Sequence, residues 1–198
     1  MESTKLYLVR HGETEWNVDK RIQGHQDSPL TEWGRKQVGW LGQALREQRF
    51  DRVLSSSSGR AVHTADIILS HRIDDKPEIH EVDFLREIYH GEWEGKRQDE
   101  LDALYPEQHQ AYKHTPHLYK SASGESFGDV RDRVIPEITG LLARHPGETL
   151  LLVTHTVTLK IIMARIKVIF IKPDRACRAA RLSIALFYGF KMISPIWK

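Results

Sequence analysis

Two histidines follow apolar runs of the same kind in different parts of the chain. The first run leads into Arg10, His11 and Gly12, and the second leads through Thr154 into His155. Unbroken apolar runs of this length are typical of buried parallel strands, and ligands bind where such strands end. An imidazole is a competent nucleophile, and a guanidinium grips two phosphate oxygens at once. The pattern therefore favours a site for a phosphate group.

A second guanidinium follows a third predicted strand, because Arg60 comes shortly after an apolar run at Arg52–Ser56. If the three strands are neighbours, two imidazoles and two guanidiniums converge at one rim of the sheet. A lone histidine at a strand end is more often a half-buried side chain with its hydrogen bonds satisfied. The matched pair favours a functional role instead, although symmetry does not distinguish which imidazole is the nucleophile.

Strands and helices alternate along the chain. Apolar runs and helical spacing predict strands over Lys5–Val9, Arg52–Ser56, Glu78–Val82 and Thr149–Thr154, and helices after Thr31, after Gly59, over Asp99–Tyr105 and over Phe127–Arg144. The alternation predicts an α/β protein, a three-layer α/β/α sandwich around a mostly parallel central sheet. Residues 89–126 form a loop-rich excursion, and Pro136 is expected to kink or interrupt its helix.

The composition is that of a globular protein in a reducing compartment. With 198 residues the chain has the size of one domain, so we expect a single domain over residues 1–198. The one cysteine, Cys177, excludes an intrachain disulfide and a four-thiolate zinc site. The first residues lack the apolar core of a signal peptide, and no apolar run approaches the roughly 20 residues of a membrane helix. We therefore expect a cytoplasmic location and no membrane partner.

The net charge of +2 hides an asymmetry. Residues 1–159 carry 20 basic and 26 acidic side chains, whereas residues 160–198 carry nine basic side chains and one acidic one. A basic tail of this kind is either a solvated face or a surface for nucleic acid, and the solvated face is the favoured interpretation. The mildly acidic body argues against nucleic-acid binding, so no nucleic-acid partner is expected. Nothing in the sequence indicates an oligomeric state.

Four blocks of motifs resemble, in order, those of the histidine phosphatase superfamily, the phosphoglycerate-mutase-like proteins. They lie at Leu8–Asn17 with its extension through Gln23, Gly24 and Asp27–Thr31, at Ser56–Ala65, at Leu85–Glu87 with Gly91–Gly95, and at Val153–His155. The resemblance covers residues 5–163 and is closest to the small bacterial broad-specificity phosphatases. It implies a phosphoglycerate-mutase-like fold and a small-molecule phosphate monoester as substrate.

The resemblance implies a role for each convergent residue. His11 is the nucleophile that becomes phosphohistidine, and a backbone acceptor on its other ring nitrogen is expected to fix the tautomer. Arg10, Arg60 and His155 bind the phosphate oxygens. Glu87 protonates the leaving group and then takes a proton from the attacking water, for which it must start protonated. No metal or cofactor is implied, because fixed cations stabilise the charge spread over the transferring group.

Three more residues, Asn17, Gln23 and Gly24, are implied as neutral donors to the phosphate. A Gln-Gly pair is also an ordinary turn, so the last two have a structural interpretation as well. All three belong to the first motif block and its extension.

The excursion also contains histidines and aromatic residues with simpler interpretations. His109, His114 and His117 superficially have metal-ligand spacing, but no cysteine or second histidine–glutamate pair accompanies them. We therefore expect solvated loop histidines. Four aromatic residues either frame an apolar substrate pocket or pack beneath the long loop: Trp93, Tyr105, Tyr112 and Tyr119.

The chain departs from the family pattern in two places. Thr156 stands where the family usually has glycine, and a β-branched residue resists positive φ and crowds a ligand. Residues 164–198 form a divergent basic segment, either a translated alternative reading frame or a lineage-specific replacement. Within it, Leu182–Phe187 is predicted as a strand and Cys177–Arg181 as a helical turn.

Three rival functions share parts of this pattern. A cofactor-dependent phosphoglycerate mutase has the same catalytic residues but passes the phosphoryl group to a second hydroxyl instead of water, and family mutases are generally longer. A catalytically silent phosphate binder would lack His11 or Glu87, and both are present. A metal-dependent hydrolase would lose activity to a chelator. We therefore predict a metal-independent phosphatase of broad specificity, with the mutase as the alternative.

Overall fold

The computed structural model describes residues 4–74, 76–171, 182–188 and 191–192. Its strands are β1 (Thr4–Arg10), β2 (Arg52–Ser56), β3 (Ile79–Val82), β4 (Thr149–Thr154), β5 (Leu182–Tyr188) and β6 (Lys191–Met192). They form one sheet in the order β3-β2-β4-β1-β5-β6, and every neighbouring pair is parallel except β5 with β6. The prediction of a mostly parallel sheet is confirmed.

The described residues also contain helices that alternate with these strands. They are α1 (Glu15–Val18), α2 (Glu32–Ala44), α3 (Gly59–Ser70), α4 (Gln98–Leu104), α5 (Pro106–His114), α6 (Phe127–Arg144) and α7 (Thr156–Ile171). The helix predicted after Thr31 is α2, and Thr31 caps it, because its hydroxyl accepts from the Gly34 amide at 2.8 Å. No helix within the described ranges is long and apolar enough to cross a membrane.

Two apolar clusters, one on each face of the sheet, give the fold its three layers. On one face, β-strand residues such as Leu8 and Leu152 pack with α6 and α7. On the other face, Val9 and Val153 pack with α2 and α3. Alternate residues of one strand point to opposite faces, so a strand buried on both sides needs an unbroken apolar run. The expected three-layer α/β/α sandwich is confirmed.

Helix α6 runs unbroken through Pro136, so this proline does not interrupt the helix, and the alternative expectation of a kink stays a prediction. Proline inside a helix removes one hydrogen bond and costs about 3 kcal/mol. The helix buries Val130, Val134, Ile138 and Leu141 along one face, and each buried side chain contributes roughly 1.5–3 kcal/mol. Packing against the sheet therefore outweighs the local penalty.

The strand predicted over Leu182–Phe187 is β5, which pairs in parallel with β1 and extends the sheet. It is followed by the short antiparallel strand β6. The helical turn predicted over Cys177–Arg181 lies outside the described residues.

Candidate active site

Strand register brings His11 and His155 together. Arg10, at the end of β1, pairs with Thr154 at the end of β4, and the His11 amide donates to the Thr154 carbonyl at 3.0 Å. Both histidines therefore leave the sheet at the same level, at the carboxyl ends of adjacent parallel strands. Their ring centroids lie 5.1 Å apart, and both residues are buried.

The backbone orients the ring of His11. Its Nδ1 atom lies 2.8 Å from the Gly12 carbonyl oxygen, which can only accept a hydrogen bond. Nδ1 therefore carries the proton and donates it, and Nε2 is left unprotonated. A Cβ on residue 12 would lie 2.8 Å from Cγ2 of Val38, so glycine is required for this close approach to α2. The expected backbone acceptor is thus the Gly12 carbonyl.

Burial and positive charge keep both imidazoles neutral. The pKa of His11 lies well below 6.5, mainly because the ring is desolvated and also because the charges of Arg60 and Arg10 disfavour the imidazolium. Desolvation also holds the pKa of His155 well below 6.5, again with a contribution from Arg60. The neutral form is the nucleophilic form of an imidazole, so it is present at neutral pH.

The two ring nitrogens of His155 have different surroundings. Nε2 lies 2.8 Å from the hydroxyl of Ser56, so β2 also contributes to the site. Nδ1 is buried and has no hydrogen-bond partner among the described residues. When the Ser56 hydroxyl donates to Nε2, Nδ1 carries a proton that it can donate to a ligand oxygen. Ser56 begins the second motif block, but the motif alone does not indicate this contact.

Arg60 is 1% exposed, and its guanidinium is held in one position. Its Nη1 donates to the Asp27 carboxylate at 2.7 Å and to the Gln26 carbonyl at 2.9 Å. Its Nη2 donates to the Gly24 carbonyl at 2.8 Å. The Asp27 carboxylate also accepts from the Arg60 amide at 3.1 Å. Asp27, whose role the sequence pattern does not indicate, therefore binds both the side chain and the backbone of Arg60.

Glu87 meets the first turn of α7. Its Oε1 accepts from the amides of Ile88 at 3.0 Å and Thr158 at 3.3 Å, and both carboxyl oxygens lie 3.1 Å from the Val157 amide. Since α7 starts directly after His155, one strand-to-helix junction positions the carboxyl group and the second imidazole. The proton that a general acid must carry stays a prediction.

The three predicted neutral donors already make contacts with other residues of the protein. The Asn17 side-chain oxygen accepts from the Thr14 amide at 3.2 Å. The Gln23 amide nitrogen donates to the hydroxyls of Thr14 at 2.8 Å and Ser28 at 2.6 Å, which engages both of its hydrogens. The carbonyl of Gly24 accepts from a guanidinium. Their donation to phosphate stays a prediction, and the contacts of Gln23 are those of a loop support.

Glu94, whose role the sequence pattern does not indicate, shapes the loop around Gly24. Its carboxylate accepts from the amides of His25 at 2.7 Å, Gln26 at 2.8 Å and His90 at 3.1 Å. Gly24 has φ +58°, and a Cβ there would lie 2.0 Å from Oε1 of Glu94. The first two contacts join residues 69 and 68 positions apart, a distance that no local sequence pattern marks.

The expectation of solvated histidines in the excursion was wrong for His109. This residue is 1% exposed, its Nδ1 lies 2.8 Å from the Asp102 carboxylate, and its ring meets Trp93 edge to face at 5.8 Å. Helix α5 turns it inward, whereas His114 and His117 are exposed as expected. Within the described part of the chain, no group of three or more histidine, cysteine, aspartate or glutamate residues is arranged to hold a metal ion.

The aromatic residues of the excursion pack against one another. The ring of Trp93 lies 5.4 Å from that of Tyr119, 5.8 Å from that of Tyr105 and 6.1 Å from that of Tyr112. Trp93 and Tyr119 are almost fully buried and belong to the apolar cluster shared with α6 and α7. Packing beneath the long loop is therefore the correct interpretation.

Thr156 is the first residue of α7 and is half-buried. Among the described residues, Lys20 is the only non-glycine residue with a positive φ. The expected conflict between a β-branched side chain and positive φ does not arise, because the helix begins directly after His155.

The assembled groups suit phosphoryl transfer. They are an oriented neutral imidazole with an unprotonated Nε2, two guanidiniums, a second imidazole and a carboxyl group at a helix N-terminus. Such a set can bind a phosphate, offer a nucleophile to its phosphorus and exchange a proton with an adjacent oxygen.

Known proteins resemble this chain in sequence and structure. The family model described as histidine phosphatase superfamily (branch 1) matches residues 6–188, so the match continues beyond residue 163. Phosphoserine phosphatase 1 of Hydrogenobacter thermophilus is 36% identical over 156 residues, which are 79% of this chain and 72% of that protein. The adenosylcobalamin/alpha-ribazole phosphatase of Salmonella typhimurium is 38% identical over 162 residues, 82% and 79% of the two chains.

Among solved structures, Bacillus stearothermophilus YhfR matches with a TM-score of 0.79 and 45% identity, over 83% of this chain and 80% of that chain. Proteins described as phosphoglycerate mutases are also among the matches.

Proposed function

The chain belongs to the histidine phosphatase superfamily, and we propose on that premise that it hydrolyses small phosphate monoesters through a phosphohistidine at His11. One observation carries the proposal: the Nδ1–H of His11 donates to the Gly12 carbonyl at 2.8 Å and leaves Nε2 unprotonated. Burial of the ring, together with the charges of Arg60 and Arg10, keeps the pKa of this imidazole low. These are the requirements of a nitrogen nucleophile that acts on a bound anion.

The first half-reaction forms the phosphohistidine. Nε2 of His11 attacks the phosphorus, the bond between phosphorus and the ester oxygen breaks, and the leaving oxygen takes a proton from Glu87. Charge on the equatorial oxygens is stabilised by Arg10, Arg60 and the Nδ1–H of His155. Each charge-assisted hydrogen bond of this kind contributes roughly 1.5–3 kcal/mol.

The second half-reaction returns the enzyme to its starting state. The ionised Glu87 takes a proton from a water molecule, whose oxygen attacks the phosphorus on His11. The bond between phosphorus and Nε2 breaks, and inorganic phosphate leaves. No step requires a metal ion, because the cations are supplied by side chains.

The substrate proposed is a small phosphate monoester, with broad specificity for the alcohol part. A phosphoserine phosphatase and an adenosylcobalamin/alpha-ribazole phosphatase resemble this chain to a similar degree, which supports a phosphate pocket that does not by itself select the alcohol. The one cysteine among 198 residues supports a cytoplasmic location.

The test compares a panel of phosphate esters with 3-phosphoglycerate, the latter with and without a bisphosphate primer. We expect release of inorganic phosphate from several esters, unaffected by a chelator. Mutase turnover far above phosphatase turnover would favour the phosphoglycerate mutase alternative. Activity that a chelator abolishes and one cation restores would contradict the role of the guanidiniums.

A further inference from the structure

The residues that carry Glu87 form an irregular segment. After a short 3-10 turn at Asp83–Leu85, the backbone continues extended through Arg86, with φ −61° and ψ 157°. Residues 84–89 are called the acid segment below. A side chain on such a segment keeps its position only if other parts of the protein hold the backbone.

One side chain of α6 binds three carbonyl groups of the acid segment. Nη1 of Arg133 donates to the carbonyls of Phe84 at 2.9 Å and Arg86 at 3.1 Å. Nη2 of Arg133 donates to the carbonyl of Glu87 at 3.0 Å. A guanidinium is planar and its donors have fixed directions, so three contacts fix both the position and the orientation of the segment.

Glu125 in turn fixes Arg133 through a two-point ion pair. The Nε–Oε1 distance is 2.7 Å and the Nη2–Oε2 distance is 2.9 Å, and the two side chains are 25% and 20% exposed. The same carboxylate accepts from the amide of Tyr89 at 2.8 Å, and the Glu125 amide donates to the Tyr89 carbonyl at 2.7 Å. The pair therefore holds both ends of the acid segment.

We propose that Glu125 and Arg133 are positioning residues for the general acid Glu87, an inference that rests on the proposed function. Within the described residues, each hydrogen bond of the Arg133 side chain ends on the acid segment or on Glu125. Loosening the pair moves the carboxyl group away from the leaving oxygen and leaves the cations of the phosphate site in place. The hydroxyls of Thr154 and Thr158 also hold this segment, through the carbonyls of Leu85 and Arg86, so the pair contributes to the position from which Glu87 donates its proton.

The test uses two esters whose leaving groups differ in their need for a proton. The leaving group of 4-nitrophenyl phosphate departs as a stable phenolate, whereas glycerol 3-phosphate must release a strongly basic alkoxide. The value of kcat/KM reports the step that breaks the ester bond, and it is measured for both. Because a general acid contributes 10²–10⁴-fold, we expect Glu87→Gln to lower kcat/KM for glycerol 3-phosphate by ~10²-fold or more.

We expect Arg133→Met and Glu125→Gln each to lower kcat/KM for glycerol 3-phosphate by ~10-fold. For 4-nitrophenyl phosphate, we expect the same variants to lower kcat/KM by less than ~3-fold. Arg133→Lys keeps a charged donor and recovers part of the loss. The quantity compared is the ratio of the two kcat/KM values, which does not change if part of a variant fails to fold. The matched control is Arg131→Met on the same helix, because Arg131 is 64% exposed and pairs with Asp132; it leaves the ratio unchanged.

This inference would be overturned if Arg133→Met and Glu125→Gln lowered kcat/KM equally for both esters while Glu87→Gln lowered it selectively for glycerol 3-phosphate. The proposed function would remain intact in that case. If Glu87→Gln did not lower kcat/KM more for glycerol 3-phosphate than for 4-nitrophenyl phosphate, the role of Glu87 as general acid would be refuted, and the positioning role with it.

Discussion

The imidazole rings of His11 and His155 lie 5.1 Å apart, centroid to centroid, with their planes inclined by 57°. This separation follows from the pairing of β1 with β4, since each histidine comes directly after a paired residue. Hydrogen bonds distinguish the two rings: Nδ1 of His11 is hydrogen-bonded to the Gly12 carbonyl, whereas Nε2 of His155 is hydrogen-bonded to the Ser56 hydroxyl. The pair therefore leaves opposite nitrogen atoms available to one phosphoryl group.

The low pKa of His11 predicts how activity depends on pH. Desolvation and the charges of Arg60 and Arg10 lower this pKa well below 6.5, so the neutral nucleophile persists as the pH falls through 6.5. We expect kcat/KM, corrected for the ionisation of the substrate near pH 6, to decline only at clearly lower pH. A profile of kcat/KM from pH 4 to 8 that falls with an apparent pKa near 6.5 would disagree.

The buried His90 predicts a loss of stability in acid. Desolvation lowers its pKa from 6.5 to about 4, so between these values the unfolded chain binds a proton that the folded protein excludes. Above pH 6.5 both states are neutral and the shift has no effect. Below it, the free energy of unfolding falls by about 1.4 kcal/mol per pH unit, or about 3 kcal/mol by pH 4, from this residue alone.

Urea unfolding of the native chain and of His90→Phe, at pH 7 and pH 4.5, measures this contribution. We expect a smaller loss of stability on acidification in the variant. The same change at the exposed His114 is the control. If the native chain and His90→Phe lost the same free energy of unfolding between pH 7 and pH 4.5, the assignment of this acid sensitivity to His90 would be refuted.

The strands, and the histidine that ends each of two of them, were predictable because both depend on local patterns, whereas the pairing of β1 with β4 was only a condition of the predicted convergence. A run such as Leu150–Val153 is typical of a strand buried on both faces, and neighbouring parallel strands that end in histidine place those side chains at one edge. The supports of the site were not predictable in this way. Asp27, Glu94 and Arg133 act through contacts with residues far away in the chain, and a carboxylate or guanidinium in the sequence does not reveal which backbone groups it will bind.

Gly24 is expected to be essential for the geometry around Arg60. An alanine there would adopt φ +58°, and its Cβ would lie 2.0 Å from Oε1 of Glu94. A positive φ costs a non-glycine residue roughly 1–2 kcal/mol, and displacing Glu94 releases the loop that holds the guanidinium. We expect Gly24→Ala to lower both the melting temperature and kcat/KM.

Gly39→Ala is the matched control for this prediction. Gly39 lies within α2, and the nearest atom to its added Cβ is Nε2 of His71 at 3.5 Å, an ordinary contact. Replacing a helical glycine with alanine stabilises a protein by roughly 0.5–1 kcal/mol, so this variant should melt at a slightly higher temperature. If Gly24→Ala and Gly39→Ala had the same melting temperature and the same kcat/KM, the turn at Gly24 would not need glycine.

Thr156→Gly tests whether the departure from the family pattern matters. The threonine starts α7 with an ordinary backbone conformation, so we expect kcat/KM to change by less than ~3-fold and stability to fall by less than about 0.5 kcal/mol, because the helix propensities of threonine and glycine differ only slightly. Steady-state kinetics and thermal unfolding of this variant measure both effects. A large gain in activity would instead show that the threonine side chain obstructs the phosphate.

The identity of the nucleophilic atom is tested most directly by trapping the phosphoenzyme. The native chain, His11→Asn and His155→Asn are mixed with a ³²P-labelled ester and quenched in base, and the acid-labile label is then assigned to a ring nitrogen by peptide mapping and ³¹P NMR. The account predicts label on Nε2 of His11 in the native chain, a reduced amount at the same atom in His155→Asn, and none in His11→Asn. Label on His155, or undiminished label in His11→Asn, would contradict it.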